Sequence, residues 1–401
     1  MRQFNEDTPD KQPLRLYFAV AFIAMSGLSY INFLPGLMNA LAIGLGYAES
    51  QAGQIVALNG YGALFGTALA ILSVKYIHWK PTIISAMSVL LLLELTSPAI
   101  ISFDTLLVLR FATGFAGGLA VGVSFSVLAK MYNTNRAFGF LLFIQFIIGA
   151  LVMYTLPQLE LHLGAHAVFY VMATIAAFSI LMAISIPAGR FATYIKSQES
   201  YTRVGSLGLS ITIMLVIFIY LTAASALYAY VGLIGIKANL NEAQVSTYIS
   251  FTGLLGLLGA VIPMIQAPFI KRRPLTVISI SLCLVAVLVL LQPTISRTAY
   301  IVALALFFFA WPAVQSFLFA TIADISPSGR LSTISSLVSS IAMASGPMLA
   351  AFLIKPTDYS LMLTICASLF VLCAVILYMP LKIAPPAKGQ STPTLTTQAK
   401  Q

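Results

Sequence analysis

PAGRFATYIKSQESYTRVGS, residues 187–206, is the longest hydrophilic connection in this chain of 401 residues, and it falls near the midpoint. Charge is scarce on both sides of it: 8% of the chain is Asp, Glu, Lys or Arg, whereas 60% is hydrophobic. A soluble domain is about 25% charged, so no core folded in water could hide this much apolar surface. A soluble enzyme, a nucleic-acid-binding protein and a disordered chain are excluded, and the solvent of this protein is largely lipid. A helix needs about 20 apolar residues to cross a bilayer. Counting outward from the connection, such windows occupy 167–189, 137–159, 105–129, 81–103, 50–74 and 16–48 on one side. On the other side they occupy 204–236, 243–270, 274–296, 298–323, 331–354 and 359–381. The reading is an all-α membrane protein with twelve transmembrane helices in two six-helix pseudo-symmetric bundles. The bundles are assigned to 14–186 and 207–383, with 187–206 as a cytoplasmic linker and two short cytoplasmic tails, 1–13 and 384–401. The C-tail is rich in Pro, Thr and Gln and reads as disordered.

The net charge of +10 is a signal of topology. With the N-terminus inside, the cytoplasmic segments hold 17 of the 21 Lys and Arg residues, the outer loops hold only Lys237, Arg297 and Lys355, and Arg110 lies within a span. The positive-inside rule therefore places both termini in the cytoplasm. The compact loops favour a bacterial inner membrane, and a cleaved signal peptide is disfavoured because the first apolar run is too long. Cys283, Cys366 and Cys373 sit in apolar runs without metal or disulfide spacing and read as buried small hydrophobes.

The two halves are related by a shift of 194 residues, which places Arg136 of NTNRAFG on Arg330 of SPSGRLS and Gly62 on Gly256. A parallel repeat of this kind implies a solute cleft on the pseudo-symmetry axis. Several stretches then resemble the major facilitator superfamily. LPGLMNALAIGLGYAESQAG (34–53) is similar to its Pro-bearing first helix and the start of its second. LVLRFATGFAGGLAVG (107–122) resembles its R-x-x-x-G-x-x-x-G motif, with Arg110, Gly114 and Gly118 in the motif positions. NTNRAFG (133–139) and AHAVFY (165–170) look like the starts of its fifth and sixth helices. Two patterns depart. AILSVKYIHWKP (70–81) keeps Lys75 and Lys80 but lacks the Asp and Gly-Arg of the family's loop between helices two and three. The antiporter pattern is poor, with Gly149 followed by Ala150 and Pro157 arriving late, although a Gly346–Pro347 pair stands in span eleven.

Glu94 and Arg110 are the only charges inside spans. A charge at membrane depth costs about 2.5–3.5 kcal/mol on insertion scales, so it takes a partner or faces water. Both lie near the outer ends of antiparallel neighbouring helices, and they are expected to interact, with protonation of Glu94 modulating the pair. The resemblance implies a role for the motif Arg in proton coupling; a structural pair is the competing reading. Gly114, Gly118 and Gly122 form a row suited to close helix packing. The resemblance also implies a cavity lined by helices one, four, seven and ten. Candidate lining residues are Ser29, Asn32, Gly36 and Asn39 in span one, Tyr220, Ala224 and Tyr228 in span seven, Phe308, Trp311, Gln315 and Phe319 in span ten, and Gln145 in span five. Of these, Asn32, Tyr228, Trp311, Gln315 and Gln145 are the substrate-contact candidates. Pro312 is expected to bend span ten, and Asp324, Arg330 and Arg136 are candidate gate contacts. His162 and His166 have zinc-pair spacing but no third ligand, so no metal site is expected, and no cofactor.

The expected function is secondary active transport of a small organic solute by alternating access, with protons as coupling ion and efflux preferred slightly because the cavity is aromatic. An uptake permease of the same fold is the alternative, and a solute sensor without flux comes from a different class. Membrane lipid and the solute are the expected partners, nucleic acid is not, and a monomer is expected.

Overall fold

The structure is a computed structural model that describes residues 13–73, 76–100, 102–131, 133–186, 207–265, 272–325, 330–355 and 358–378. The linker 187–206, most of both tails, and Lys75 lie outside the described residues, as do the side chains of Asp324 and Arg330.

The first crossing is broken into α1 (Leu14–Gly27), α2 (Ser29–Asn32) and α3 (Leu34–Asn39), and a π-helical turn follows at Ala40–Gly44. Pro35 at the start of α3 has no N–H to give, so the ladder restarts there. Then come α4 (Glu49–Ser73), α5 (Trp79–Thr96), α6 (Phe103–Leu128), α7 (Thr134–Leu163) and α8 (Ala167–Ser185). The second half opens with α9 (Leu207–Lys237), and α10 (Glu242–Gly253) with α11 (Leu255–Ile265) makes one interrupted crossing. It closes with α12 (Arg272–Leu290), α13 (Arg297–Ile325), α14 (Arg330–Leu353) and α15 (Ser360–Tyr378). Twelve crossings result. Adding 194 to the bounds of α4 gives 243–267, against Glu242–Ile265 for α10 and α11; α6 maps to 297–322 against Arg297–Ile325, and α8 to 361–379 against Ser360–Tyr378.

Alternate crossings run in opposite directions, so the bundle has a tail end, near both termini, and a far end carrying loops such as 45–48 and 238–241. The apolar shell meets lipid directly: Phe65, Leu72, Val108, Leu181, Phe352 and Tyr378 are large and exposed. The interior satisfies its helix ends locally. At the tail end the Lys80 ammonium donates to the carbonyls of Ile184 and Ile186 at the C-terminus of α8, where a cation meets orphan carbonyls and the negative end of the dipole. Asn241 caps α10 with a reciprocal capping box to Gln244. Cys283, Cys366 and Cys373 are buried free thiols.

The halves meet in the far half of their length. Tyr230 Oη donates to the Glu49 carbonyl at 2.9 Å and Tyr359 Oη to Glu49 Oε1 at 2.7 Å. Tyr61 and Ser345 pair at 3.0 Å between α4 and α14, where Gly60 abuts Ala344. On the opposite seam Ser250 Oγ donates to the Ala150 carbonyl at 2.6 Å, and the Tyr154 and Phe251 rings meet edge to face at 6.0 Å. Below these contacts, toward the tail end, the halves separate around a cavity.

Candidate functional site

The cavity has a volume of about 590 Å³, within the range of small-molecule sites. It runs from Asn32, Met153, Tyr228 and Ser250 at mid-depth to Phe125, Phe138 and Phe319 near the tail end. Most of the wall comes from α2, α7, α10 and α13, and single residues of α6, α9, α11 and α14 complete it. Among the described residues, no Asp, Glu, Lys, Arg or His lines it.

The substrate-contact candidates Asn32, Gln145, Tyr228, Trp311 and Gln315 are all on the wall. On α13, Phe308, Trp311, Gln315 and Phe319 recur at helical spacing and so share a face. Trp311 is the hub of an aromatic cluster: its ring lies 5.2 Å from Tyr228 and 5.3 Å from Phe307, and Tyr228 meets Phe308 edge-on at 5.7 Å. Tyr228 Oη donates to the Asn32 carbonyl at 3.0 Å, which fixes its ring across the boundary between the halves. Two polar groups here are buried without protein partners: both amide atoms of Asn32, and Trp311 Nε1. A buried donor or acceptor left unpaired costs about 1–3 kcal/mol, so these atoms are set up to bond something that enters. Pro312 lies within α13, which remains one helix from Arg297 to Ile325, and its ring faces the cavity.

Two expectations about the wall are corrected. Helix four of the resemblance, α6, gives the cavity only Phe125, and α7 with α10 takes its place through Phe138, Leu142, Phe146, Gly149, Met153, Ile249 and Ser250. The reason is the glycine row. Gly114 and Gly118 sit against the backbone of α4 at Asn59 and Ala63, Gly122 sits against Ala70, and Gly117 against Gly27 of α1. A helix packed backbone to backbone has no side chains to offer a cavity. Tyr220 is the second correction: it points into the C-terminal half, 3.4 Å from Cys283 Sγ and with its ring 5.5 Å from Phe370. Ser29 and Gly36 are buried, Gly36 against Met153 and Leu156. Asn39 is buried and does not line the cavity, and neither does Ala224. Phe146 and Ser250, which sequence reasoning missed, sit on helices whose cavity faces are nearly as apolar as their lipid faces, so periodicity gave no contrast.

Glu94 and Arg110 form a buried ion pair, 2% and 0% exposed, with Nη2 to Oε2 at 3.1 Å. Arg110 Nη1 also donates to both carboxylate oxygens, Nη2 donates to Ser97 Oγ, and the guanidinium carbon lies 5.0 Å from the Phe169 ring centroid. The pair is enclosed by α5, α6 and α8 and does not line the cavity. Arg136 is exposed, and its backbone N–H is held by Asn133 Oδ1. Among the described residues, no three His, Cys, Asp or Glu side chains gather as metal ligands.

Among the described residues, twelve crossings in two repeated halves surround a central cavity whose wall carries no charge, and this arrangement defines a membrane transporter fold. The Major Facilitator Superfamily pattern matches residues 16–342, and the chain belongs to that family. Solved structures with the same fold include a point mutant of the nucleoside transporter NupG (TM-score 0.72, 15% identity, covering 91% of this chain and 99% of that one). A D-xylose-proton symporter has a TM-score of 0.71 at 13% identity over 94% of this chain and 99% of its own. A structure described for proton dependent oligopeptide transporters has a TM-score of 0.71 at 11% identity over 91% of this chain and 96% of its own. No curated protein sequence matches the chain. The protein is thus an integral, multi-pass membrane protein of a transporter family.

Proposed function

We propose that this chain takes up a neutral, hydroxylated, ring-bearing solute across a bacterial inner membrane by alternating access, driven by protons. The observation that carries the solute class is the cavity wall: amides and an indole N–H supply hydrogen bonds, Tyr228, Phe308 and Trp311 supply ring faces, and none of the described lining residues is charged. A charged solute would be desolvated there without a counter-charge. Uptake replaces the efflux that the aromatic cavity first favoured. It is supported by the antiporter pattern missing from span five and by similar structures described as a nucleoside transporter and a D-xylose-proton symporter. The Lys and Arg distribution orients the tail end, toward which the cavity extends, to the cytoplasm. The protein acts as a monomer in this reading, because one chain encloses the whole cavity.

Proton coupling is assigned to Glu94, which takes up a proton when its pair with Arg110 opens. One observation favours a second reading, proton-independent facilitated uptake: the pair does not face the solute. Proteoliposomes loaded with the purified protein and given radiolabelled uridine or D-xylose separate these. Accumulation driven by an alkaline interior, lost in Glu94→Gln while solute counterflow persists, supports coupling through Glu94. Accumulation that Glu94→Gln leaves intact ends that assignment, flux that never exceeds equilibration means facilitation, and quenching of Trp311 emission without flux means a sensor.

A further inference from the structure

Asn39 ends α3, is 1% exposed, and has neither its amide nitrogen nor its amide oxygen hydrogen-bonded. Among the described residues, Asn32 and Asn39 are the two asparagines with both amide atoms buried and unpaired, and Asn32 is on the cavity wall. Seven residues separate them, and the helix breaks at Phe33 between α2, which Asn32 ends, and α3, which Asn39 ends. Gly36 lies between them and packs on Met153 and Leu156 of α7. Both asparagines meet α9. Tyr228 stands opposite Asn32, and Gly232, one turn farther on, stands opposite Asn39. The Asn39 amide lies so close to Gly232 that a Cβ built there would come 2.7 Å from Oδ1 and 3.0 Å from Nδ2. The neighbours in sequence, Leu37, Met38, Ala40 and Leu41, are all buried apolar residues. A leucine would satisfy such surroundings at no polar cost. Asparagine in a membrane interior is ordinarily kept for a bond between helices, and Asn39 makes none.

We propose that Asn39 is a second solute-contacting residue, used when the far end opens. In the structure the far end is closed, and α3 and α9 sandwich the Asn39 amide. When the halves part there, Asn39 and Asn32 become two rungs of one polar rail, and a solute entering from the far side meets Asn39 first. An amide offers one acceptor and two donor hydrogens, which suits the hydroxyls of a neutral solute. The same orphan amide weakens the closed far end, so Asn39 also sets the balance between the two states. The inference rests on the alternating-access reading.

The test needs no known substrate. Spin labels on Leu161→Cys and Gln292→Cys, exposed far-end positions on opposite halves, report opening of the far end in proteoliposomes by their distance distribution. In a separate protein lacking the three native thiols, Asn39→Cys is treated from the far side with a membrane-impermeant methanethiosulfonate, with Leu37→Cys as the control. The expected result is a long-distance population, reaction of the Asn39→Cys thiol at least about tenfold faster than that of Leu37→Cys, and, in the labelled pair carrying Asn39→Leu, a long-distance fraction reduced by about fivefold or more. If the labels never separate, alternating access and the role of Asn39 fall together. If the labels separate while the Asn39→Cys thiol stays inert and Asn39→Leu leaves the distances unchanged, Asn39 is a packing residue and only this inference is overturned.

Discussion

Helices α6 and α13 occupy equivalent places in the two halves, yet one is buried scaffold and the other is cavity wall. The 194-residue shift places Gly114 on Phe308, Gly117 on Trp311, Gly118 on Pro312, Val121 on Gln315, Gly122 on Ser316 and Phe125 on Phe319. Each of these six α13 positions lines the cavity, and on α6 only Phe125 does. A fold duplicated in backbone has thus divided its work by side-chain volume. Where glycines remove side chains, α6 closes onto α4 and α1 and stiffens the N-terminal half; where the same register carries rings and amides, α13 turns them to the cavity, while another of its faces closes on α11 at Gly259 against Phe309. The buried charges follow the same division. Arg110 and Glu94 fall on Leu304 and Leu288 of the second half, so the half that supplies most of the aromatic wall has an apolar counterpart to the ion pair.

The sharpest way to break this contrast is to put one side chain at both equivalent positions. Gly118→Leu drives a side chain into the α4 backbone at Ala63 and is expected to abolish folded, monodisperse protein, whereas Pro312→Leu, facing a cavity, leaves it soluble in detergent and shifts the melting temperature by only a few degrees. Equal losses from both in a detergent thermal-melt assay would show that α6 and α13 are not divided in this way. Arg110→Ala comes next. It strands the Glu94 carboxylate at 2% exposure, and removing one partner of a buried pair costs about 3–5 kcal/mol, read as a large drop in melting temperature. Exchange of both residues, Arg110→Leu with Glu94→Leu, copies the second half and is expected to recover most of that loss while ending proton-driven accumulation. Trp311→Ala has a smaller effect. It leaves the fold intact and weakens solute binding by about 1–3 kcal/mol, roughly 5- to 160-fold, through the lost ring face and Nε1 bond, measured by equilibrium binding of uridine or D-xylose. The smallest expected effect is from Gln315→Val, which gives α13 the residue of its partner position. One neutral hydrogen bond is lost, about 1 kcal/mol or fivefold in affinity, with no change in melting.

The amino-acid sequence alone determines the solvent of this protein, the number of its crossings and their duplication. Each of these follows from local chemistry: twenty apolar residues in a row can satisfy their backbone only as a helix in lipid, and a charge between such runs marks an end. Glu94 and Arg110 stand out by the same logic, because a charge inside an apolar window needs a reason wherever it occurs. What side chains face each other is a different matter. In membrane helices the lipid-facing and cavity-facing surfaces are both apolar, so the pattern along α7 cannot tell Phe143, exposed at the surface, from Phe146, which packs across the seam on Gly256. Only the tertiary structure decided that α6 withdraws from the cavity, that Tyr220 turns toward Cys283, and that the amides of Asn32 and Asn39 lie buried with nothing to bond. Those outcomes depend on how closely two backbones approach, and that distance is set by pairs of residues far apart in the chain.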